Sequence, residues 1–365
     1  MTSKTRATTD MLELGRIAAL RHLDPDPAPA LRHLAEHGRP EDLLHCADSR
    51  GLPDHRSAGA DWVARFGLAV EPENILVCTG AQHAACCCLA ALARPGHRIA
   101  VDALSYPGFL SLAAPYNVQI VPVTMDAHGM LPDRLDALCR SHAIHGLYLM
   151  PTVHNPTALC MPTQRREALA ALARKHDLLI IEDDAYALTR PDRPLPLAAH
   201  APERTLFIAG LTKTLAPGLR IGYLAAPPHM SQSLARAVTA SIRMTPPITA
   251  AIAAQWIADG TADRTQLAKQ TESAQRQTLA HTILGRRQPL SHPHNYFLWL
   301  PLPAPWTAPA FEQAALERGV NVRGAHRFSP HPHAAPAAVR VSLTAESDVK
   351  RLKKGLEALA ELLDG

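Results

Sequence analysis

The sequence predicts an α/β protein with a large domain on a seven-stranded, mostly parallel sheet and a smaller α/β domain after it. Three observations point there. Seven short β-branched or apolar runs occupy the middle of the chain, and alanine- and leucine-rich stretches of helical character separate most of them. The third is length: 365 residues exceed what one hydrophobic core usually absorbs.

The strands are expected at 75–79, 99–102, 118–123, 145–150, 178–183, 205–209 and 220–225, with helices between them such as 81–94 and 163–176. Strands alternating with helices make a parallel sheet. The last connection differs, because only residues 210–219, interrupted by Pro217-Gly218, join the sixth and seventh runs. A parallel crossover needs a dozen or more residues, so the seventh strand is expected to be antiparallel. After Pro227-Pro228 the pattern is helical through Leu284, then a strand at 296–301, a helix at 308–318 and a strand at 338–343. The final helix, 347–363, carries Leu352, Leu356, Leu359 and Leu363 at steps of four, three and four, which makes one apolar stripe. Residues 1–45, helical in parts but broken by Asp24-Pro25-Asp26-Pro27, read as an N-terminal arm. The division is therefore an arm (1–45), a large domain (46–228) and a small domain (229–365).

Composition excludes several classes. Hydrophobic residues at 47% and charged residues at 19% describe a soluble globular protein. The net charge of +4 is spread without a basic block, which argues against a nucleic-acid partner. No apolar run reaches the roughly 18 residues of a membrane span, and the start is polar, so neither membrane insertion nor secretion is expected. Seven cysteines are an odd number, three of them consecutive (Cys86, Cys87, Cys88), and no CxxC pair exists. Adjacent cysteines on a helix point apart, so reduced thiols in a cytoplasmic protein are expected rather than a disulfide framework. Twenty histidines include His292-Pro293-His294 and His331-Pro332-His333, but without HExxH they read as loop residues, and no metal is expected.

The chemistry is concentrated in Ala209-Gly-Leu-Thr-Lys-Thr-Leu-Ala-Pro-Gly-Leu-Arg-Ile-Gly-Tyr223. Lys213 follows a buried strand and Arg220 comes seven residues later. An amine tethered there can form an imine with an aldehyde cofactor, and a guanidinium can hold a phosphate by two hydrogen bonds. This segment resembles the cofactor-lysine segment of fold-type I PLP-dependent aminotransferases, and is closest to the aminotransferase domain of MocR-type regulators. The resemblance covers about residues 45–365. It implies an aspartate-aminotransferase-like fold, pyridoxal 5'-phosphate as cofactor, Lys213 as its covalent holder and proton shuttle, and a homodimer.

Other segments follow in the family's order. Thr79-Gly80-Ala81-Gln82 ends a strand and opens a helix, a natural phosphate cradle of free N–H groups, with Gly80, Ala81 and Gln82 as the binding residues. Thr212 is a further cofactor contact. Tyr106, in Tyr106-Pro107-Gly108, resembles the aromatic residue that stacks on the pyridine ring. Asn155, in His154-Asn155-Pro156-Thr157, resembles the asparagine that donates to the cofactor's 3-hydroxyl oxygen. Ala158 stands where the family's turn usually has glycine. In Glu182-Asp183-Asp184-Ala185-Tyr186, Asp183 matches the aspartate that pairs with the ring nitrogen, and Tyr186 the tyrosine that contacts the 3-hydroxyl. A protonated ring can accept the electrons left by the α-proton, and a buried anion keeps it protonated. Arg340, the single charge in Ala338-Val-Arg-Val-Ser-Leu-Thr344, matches the arginine that binds the substrate α-carboxylate.

Two positions depart from the family. Gly210 stands where a serine or threonine hydroxyl usually meets the phosphate. Cys46, before Gly51-Leu52-Pro53, aligns with an aromatic that reaches the partner's phosphate in many relatives. The short, interrupted arm leaves no room for a winged helix-turn-helix, so a full-length MocR-type transcription factor is not expected. The implied function is transamination between an α-amino acid and a 2-oxo acid, with Lys213, Asp183 and Tyr106 at the catalytic centre. Two alternatives remain at this level: a PLP- and amino-acid-binding sensor with little turnover, and another PLP reaction such as oxidation or elimination. An unrelated nucleotide-binding α/β protein is set aside because no Walker A or GxGxxG loop is present. His294, Asn295, Tyr296, His326 and Arg327 lie in small-domain segments with no assigned role.

Overall fold

A computed structural model describes residues 11–92 and 94–365. The first ten residues of the expected arm, and Ala93 within the helix expected at 81–94, lie outside the described residues. Seven strands form the central sheet: β1 (Ile75–Cys78), β2 (Arg98–Asp102), β3 (Gln119–Val123), β4 (Gly146–Leu149), β5 (Leu179–Asp183), β6 (Thr205–Gly210) and β7 (Gly222–Ala225). Their spatial order is β1-β7-β6-β5-β4-β2-β3, and β7 runs antiparallel to both neighbours while the other pairs are parallel. The short connection between β6 and β7 dictates that reversal. Every residue of β1, β4, β6 and β7 is buried, which is why those runs read as continuously apolar.

Alternate residues of β1 serve two cores. Leu76 and Cys78 join one cluster with Ala84 and Cys88 of a helix at Ala81–Leu92, while Ile75 and Val77 join another with Trp62 and Val63 of a helix at Pro53–Ala64. We label these helices α1 (Pro53–Ala64) and α2 (Ala81–Leu92). After the sheet come α3 (Ser231–Ile242), α4 (Pro247–Ala258) and the long α5 (Thr261–Leu284). Helix α3 packs on α2 and α4 on α1, so the chain covers both sheet faces again before leaving it.

The small unit has a three-stranded antiparallel sheet with Ala338–Ser342 between Phe297–Pro301 and Arg323–Gly324. The final helix, α6 (Val349–Asp364), begins on Asp348, whose side chain caps the Lys350 N–H. Its leucine stripe is buried against Phe311, Val339 and Val341. The segment read as an arm is divided: Ile17 and Leu20 join the sheet core, a helix at Ala28–His37 packs on α4, and only its start is built into this unit. Leu12–Glu13 pairs in parallel with Val320–Asn321, and Leu12 and Leu14 sit in its core. Gly355 of α6 makes room for this strand, since a Cβ there would lie 2.8 Å from Leu14 Cδ1. A two-residue strand has no detectable period, so its partner 308 residues away decides its structure. Among the described residues, no helix is long and apolar enough to cross a membrane.

Candidate active site

The C-terminal ends of β4, β5 and β6, the start of α2 and the edge of the small unit enclose a cavity of about 440 Å3. Ala81, Gln82, Tyr106, Asn155, Asp183, Tyr186, Thr212, Lys213, Arg220 and Arg340 all line it. Gly80 lies just beneath: its φ is +83°, and a Cβ there would sit 2.8 Å from Arg220 Nη2.

The cradle is a backbone construction. Ala81 and Gln82 begin α2, where N–H groups have no partner within the helix and the helix dipole favours an anion. Gly222 of β7 crosses directly below, and a Cβ on it would come within 3.0 Å of Ala81 N and Gly80 C. Arg220 stands above the cradle. Sequence placed it at the start of the seventh strand, but that strand begins at Gly222. Arg220 instead ends a 3-10 turn (Pro217–Leu219) in the left-handed region, at φ 52°, and its side chain is exposed to the cavity. Gly210 ends β6 on the cavity wall; a Cβ there would meet Ala81 Cβ at 3.3 Å and Ala185 Cβ at 3.8 Å. Cys46 is exposed and is not among the residues that line the cavity.

Asp183 ends β5 and is buried, accepting hydrogen bonds from Tyr148 Oη (3.1 Å) and the Ala185 N–H (3.2 Å). Burial pushes its carboxyl up to about 6, against the hydrogen bonds and the Lys213 charge. Its neighbour Asp184 turns away, accepting from Thr152 Oγ1 at 2.9 Å. Lys213 Nζ donates to the Ile17 carbonyl (3.0 Å) and lies 5.4 Å from the Tyr186 ring centre. Burial, then Arg340, Arg16 and Arg220, lower its amine to about 8.

Tyr106 caps a helix at Pro107–Ala113, and its ring folds back over Gly108, where any Cβ would collide with it. Gln82 Nε2 donates to the Gly108 carbonyl (2.8 Å) and ties that turn to α2. Arg340 donates through Nη1 to Asn155 Oδ1 and through Nη2 to the Gly15 carbonyl, both at 2.6 Å. Its Nε is buried without a partner among the described residues.

Sequence reasoning missed Glu13, Gly15, Arg16, Ile17, Met150, Ala185 and Arg323, which line the same cavity. Four of them belong to the segment read as an arm. Their carbonyls and charges reach the site only because Leu12–Glu13 docks on the small unit. Asn295 and Tyr296 are buried supports: Asn295 Nδ2 donates to the Ala158 carbonyl (3.2 Å) and Tyr296 Oη to the Lys213 carbonyl (3.0 Å). Ala158 takes φ 61°, so the turn keeps the left-handed geometry that glycine would supply. His294 Nδ1 lies 3.2 Å from the Gln270 carbonyl, and Arg327 and His326 face Glu312.

A phosphorylated pyridine aldehyde offers an anion, a basic ring nitrogen and a carbonyl, and the cavity presents a group suited to each. The cradle too tight for a Cβ and, among the described residues, the buried Asp183 carboxylate without a hydrogen-bonded cation and the unpartnered Arg340 Nε all fit that cofactor and an amino-acid carboxylate. Fold and site together define a fold-type I, PLP-dependent aminotransferase. The chain belongs to the family described as aminotransferase class I and II, which matches residues 18–359.

It is 34% identical over 316 residues to the uncharacterized HTH-type transcriptional regulator YdeF of Bacillus subtilis, covering 85% of this chain and 67% of that protein. It is 25% identical over 335 residues to aromatic-amino-acid aminotransferase 1 of Thermococcus litoralis, covering 88% and 80%. The crystal structure of an archaeal alanine:glyoxylate aminotransferase has the same fold, with a TM-score of 0.89 at 24% identity over 98% of this chain and 91% of that one.

Gly210 yields a paired test. Gly210→Ala adds only the Cβ that presses on Ala81, so it should hasten cofactor loss. Gly210→Ser adds the same Cβ and a hydroxyl that can donate to phosphate. A hydrogen bond to a charged group contributes about 1.5 kcal/mol or more, so the serine variant should retain PLP about tenfold longer than the alanine variant in dialysis. Equal loss from both would remove the hydroxyl argument.

Proposed function

We propose that the chain transfers an amino group between an α-amino acid and a 2-oxo acid, and that its substrate carries a second carboxylate. The supporting observation is that Lys213, Asp183 and Arg340 share one cavity with two further arginines, Arg16 and Arg323. In the antiparallel register Arg323 is directly opposite Arg340, a like-charge pair that Glu312, 3.8 Å from Arg323 Nη1, offsets only on one side and that a bound anion would offset further. Glu13, the nearest carboxylate of the arm, is already engaged by the Gly15 N–H, the Arg16 N–H and Asn321 Nδ2. Arg220 serves the phosphate and Arg340 the α-carboxylate, which leaves Arg16 for an acidic side chain, with Arg323 shared between that side chain and its 3.8 Å contact to Glu312.

In this reading the Ala81 and Gln82 N–H groups, Thr212 and Arg220 hold the phosphate. Asp183 would pair with the ring nitrogen, Asn155 and Tyr186 would contact the 3-hydroxyl, and Tyr106 would stack on the ring. Bound pyridoxal phosphate supplies a protonated ring that takes up the electron pair left when the α-proton departs. Arg340 orients the substrate by its fork, and Asn155 Oδ1 holds that fork in place. Lys213 removes the proton from the substrate α-carbon, and its lowered basicity suits it to do so near neutral pH. We further propose a cytoplasmic homodimer, with a large domain over 46–228 and a small one over 229–365 onto which the N-terminal segment docks through Leu12–Glu13.

The test is a panel of amino acids with the PLP-loaded protein, following conversion of the cofactor to its amine form. Dicarboxylic amino acids should react best. Arg16→Ala and Arg323→Ala should raise their KM about ten- to a hundredfold and leave alanine nearly unchanged. Equal effects on alanine would remove the acidic-substrate reading. No conversion with any amino acid would remove transamination.

A further inference from the structure

One titratable cluster lies outside the cavity, immediately behind the cradle. Cys78 ends β1, His83 and Cys87 lie on α2, and their sulfur and ring-nitrogen atoms are within 4.8 Å of one another. Cys78 is 0% and Cys87 1% exposed, but His83 is half-buried and Ser241 of α3 is exposed. His83 Nε2 contacts both Ser241 Oγ (2.8 Å) and Cys87 Sγ (3.3 Å), so one layer of polar side chains separates Cys87 from solvent.

Two thiols and an imidazole are also ligands for a soft metal. The hydrogen bonding opposes that use. The Thr79 N–H donates to His83 Nδ1 at 3.1 Å, which leaves the ring proton of the neutral imidazole on Nε2. Ligation through Nε2 needs that nitrogen bare and Nδ1 protonated against the Thr79 N–H. The same tautomer aims an N–H at Cys87 and so favours its thiolate. Cys87 is lowered, first by the hydrogen bond from Cys78 and then by His83, against burial; that bond raises Cys78. Cys86 and Cys88, although adjacent, are placed differently. Cys86 contacts Tyr116 Oη at 2.7 Å, and burial raises Cys88.

We propose that Cys78 and Cys87 form a reversible disulfide with hydrogen peroxide as oxidant, and that this bond loosens the phosphate cradle. Cys87 sulfur attacks one peroxide oxygen; an S–O bond forms, the O–O bond breaks, and the second oxygen leaves as water with the proton lost by Cys87. Cys78 sulfur then attacks Cys87 sulfur, the S–O bond breaks, and a second water leaves with the Cys78 proton. Two electrons pass from the thiols to the peroxide.

The sulfurs must close to about 2 Å, which draws the end of β1 toward α2. Cys78 is paired with Gly222, the residue that already crosses Gly80 and Ala81 with no space for a Cβ, so movement there is transmitted to the cradle. The disulfide stands on the cluster alone, whereas its effect on the cofactor rests on the cradle assignment above.

The experiment treats the PLP-loaded full chain with hydrogen peroxide, blocks remaining thiols with N-ethylmaleimide and maps the tryptic peptide 66–98, since Pro95 blocks cleavage after Arg94. The expected peptide is two hydrogens lighter, with Cys86 and Cys88 alkylated, and dithiothreitol reverses the change. Cys78→Ser and Cys87→Ser should each abolish it, and Cys86→Ser should not. His83→Gln should slow it several-fold, and cofactor release should be several-fold faster in the oxidised protein. Alkylation of both Cys78 and Cys87 after peroxide would overturn the disulfide. So would one zinc ion held per reduced chain and lost in Cys78→Ser, Cys87→Ser and His83→Gln. A disulfide with unchanged cofactor release overturns only the cradle effect and leaves the aminotransferase reading intact.

Discussion

Lys213→Ala will leave the protein folded, remove the near-visible absorbance of its cofactor-bound form and lower kcat by about 10²–10⁴-fold. The side chain projects from the turn after β6 into the cavity, where its amine donates to the Ile17 carbonyl and lies against the Tyr186 ring. Asp183 keeps its hydrogen bonds from Tyr148 and the Ala185 N–H, so alanine removes the amine without breaking a hydrogen-bonded ion pair among the described residues. Borohydride treatment of the wild type should attach the cofactor to Lys213, and attachment to a different lysine would overturn the assignment.

The pH dependence of the same amine is a second readout. With its pKa lowered to about 8, roughly a quarter is neutral at pH 7.5, against about one in a thousand for an ordinary lysine. Acylation of Lys213 in cofactor-free protein should be half-maximal near pH 8. Arg340 and Arg16 both lower that value, so replacing either by alanine should move the midpoint upward. A midpoint near that of free lysine would show that the amine is solvated.

Asp183→Asn should lower kcat by about 10²–10³-fold, because a cationic ring nitrogen buried without its anion costs about 3–4 kcal/mol. Tyr148 and the Ala185 N–H can still contact the amide, so the fold should persist. The raised carboxyl also sets a pH window. Above about pH 6 Asp183 is an anion and pairs with the ring; below it the carboxyl takes up a proton and the attraction is lost. Cofactor affinity in the wild type should therefore fall as the pH drops through 6, and the asparagine variant should lack that step. Turnover near wild type in Asp183→Asn would remove the role. Asp184 is no substitute, since its carboxylate accepts from Thr152 and does not line the cavity.

Much of the site was legible because its residues punctuate strand ends. Asp183 ends β5, Lys213 follows β6 and Gly80-Ala81 joins β1 to α2, and in a parallel sheet such junctions gather along one edge. The family resemblance singles them out, and the strand ends place them together. Arg220 was found as a residue but misplaced in structure, since a left-handed turn after Pro217-Gly218 carries no period that distinguishes it from the start of a strand. The arm was misread for the opposite reason. Leu12, Glu13 and Leu14 look like any short apolar stretch, and only the edge at Val320–Asn321 makes them a strand.

The sequence by itself determined the sheet and the reversal of its seventh strand, since these are written in consecutive residues or in a period of two or 3.6, and the resemblance its motifs carry pointed to the cofactor and to Lys213 and Asp183 as the residues proposed to serve it. Tertiary structure alone decided what surrounds them. Gly15 reaches Arg340 across 325 positions and Ile17 reaches Lys213 across 196, Arg323 faces Arg340 through strand pairing, and Cys87 meets Cys78 between a helix and a strand. No local signal encodes such contacts: they form when separately folded elements bury their apolar faces together, and the backbone and side chains then brought close acquire partners that the sequence never places side by side.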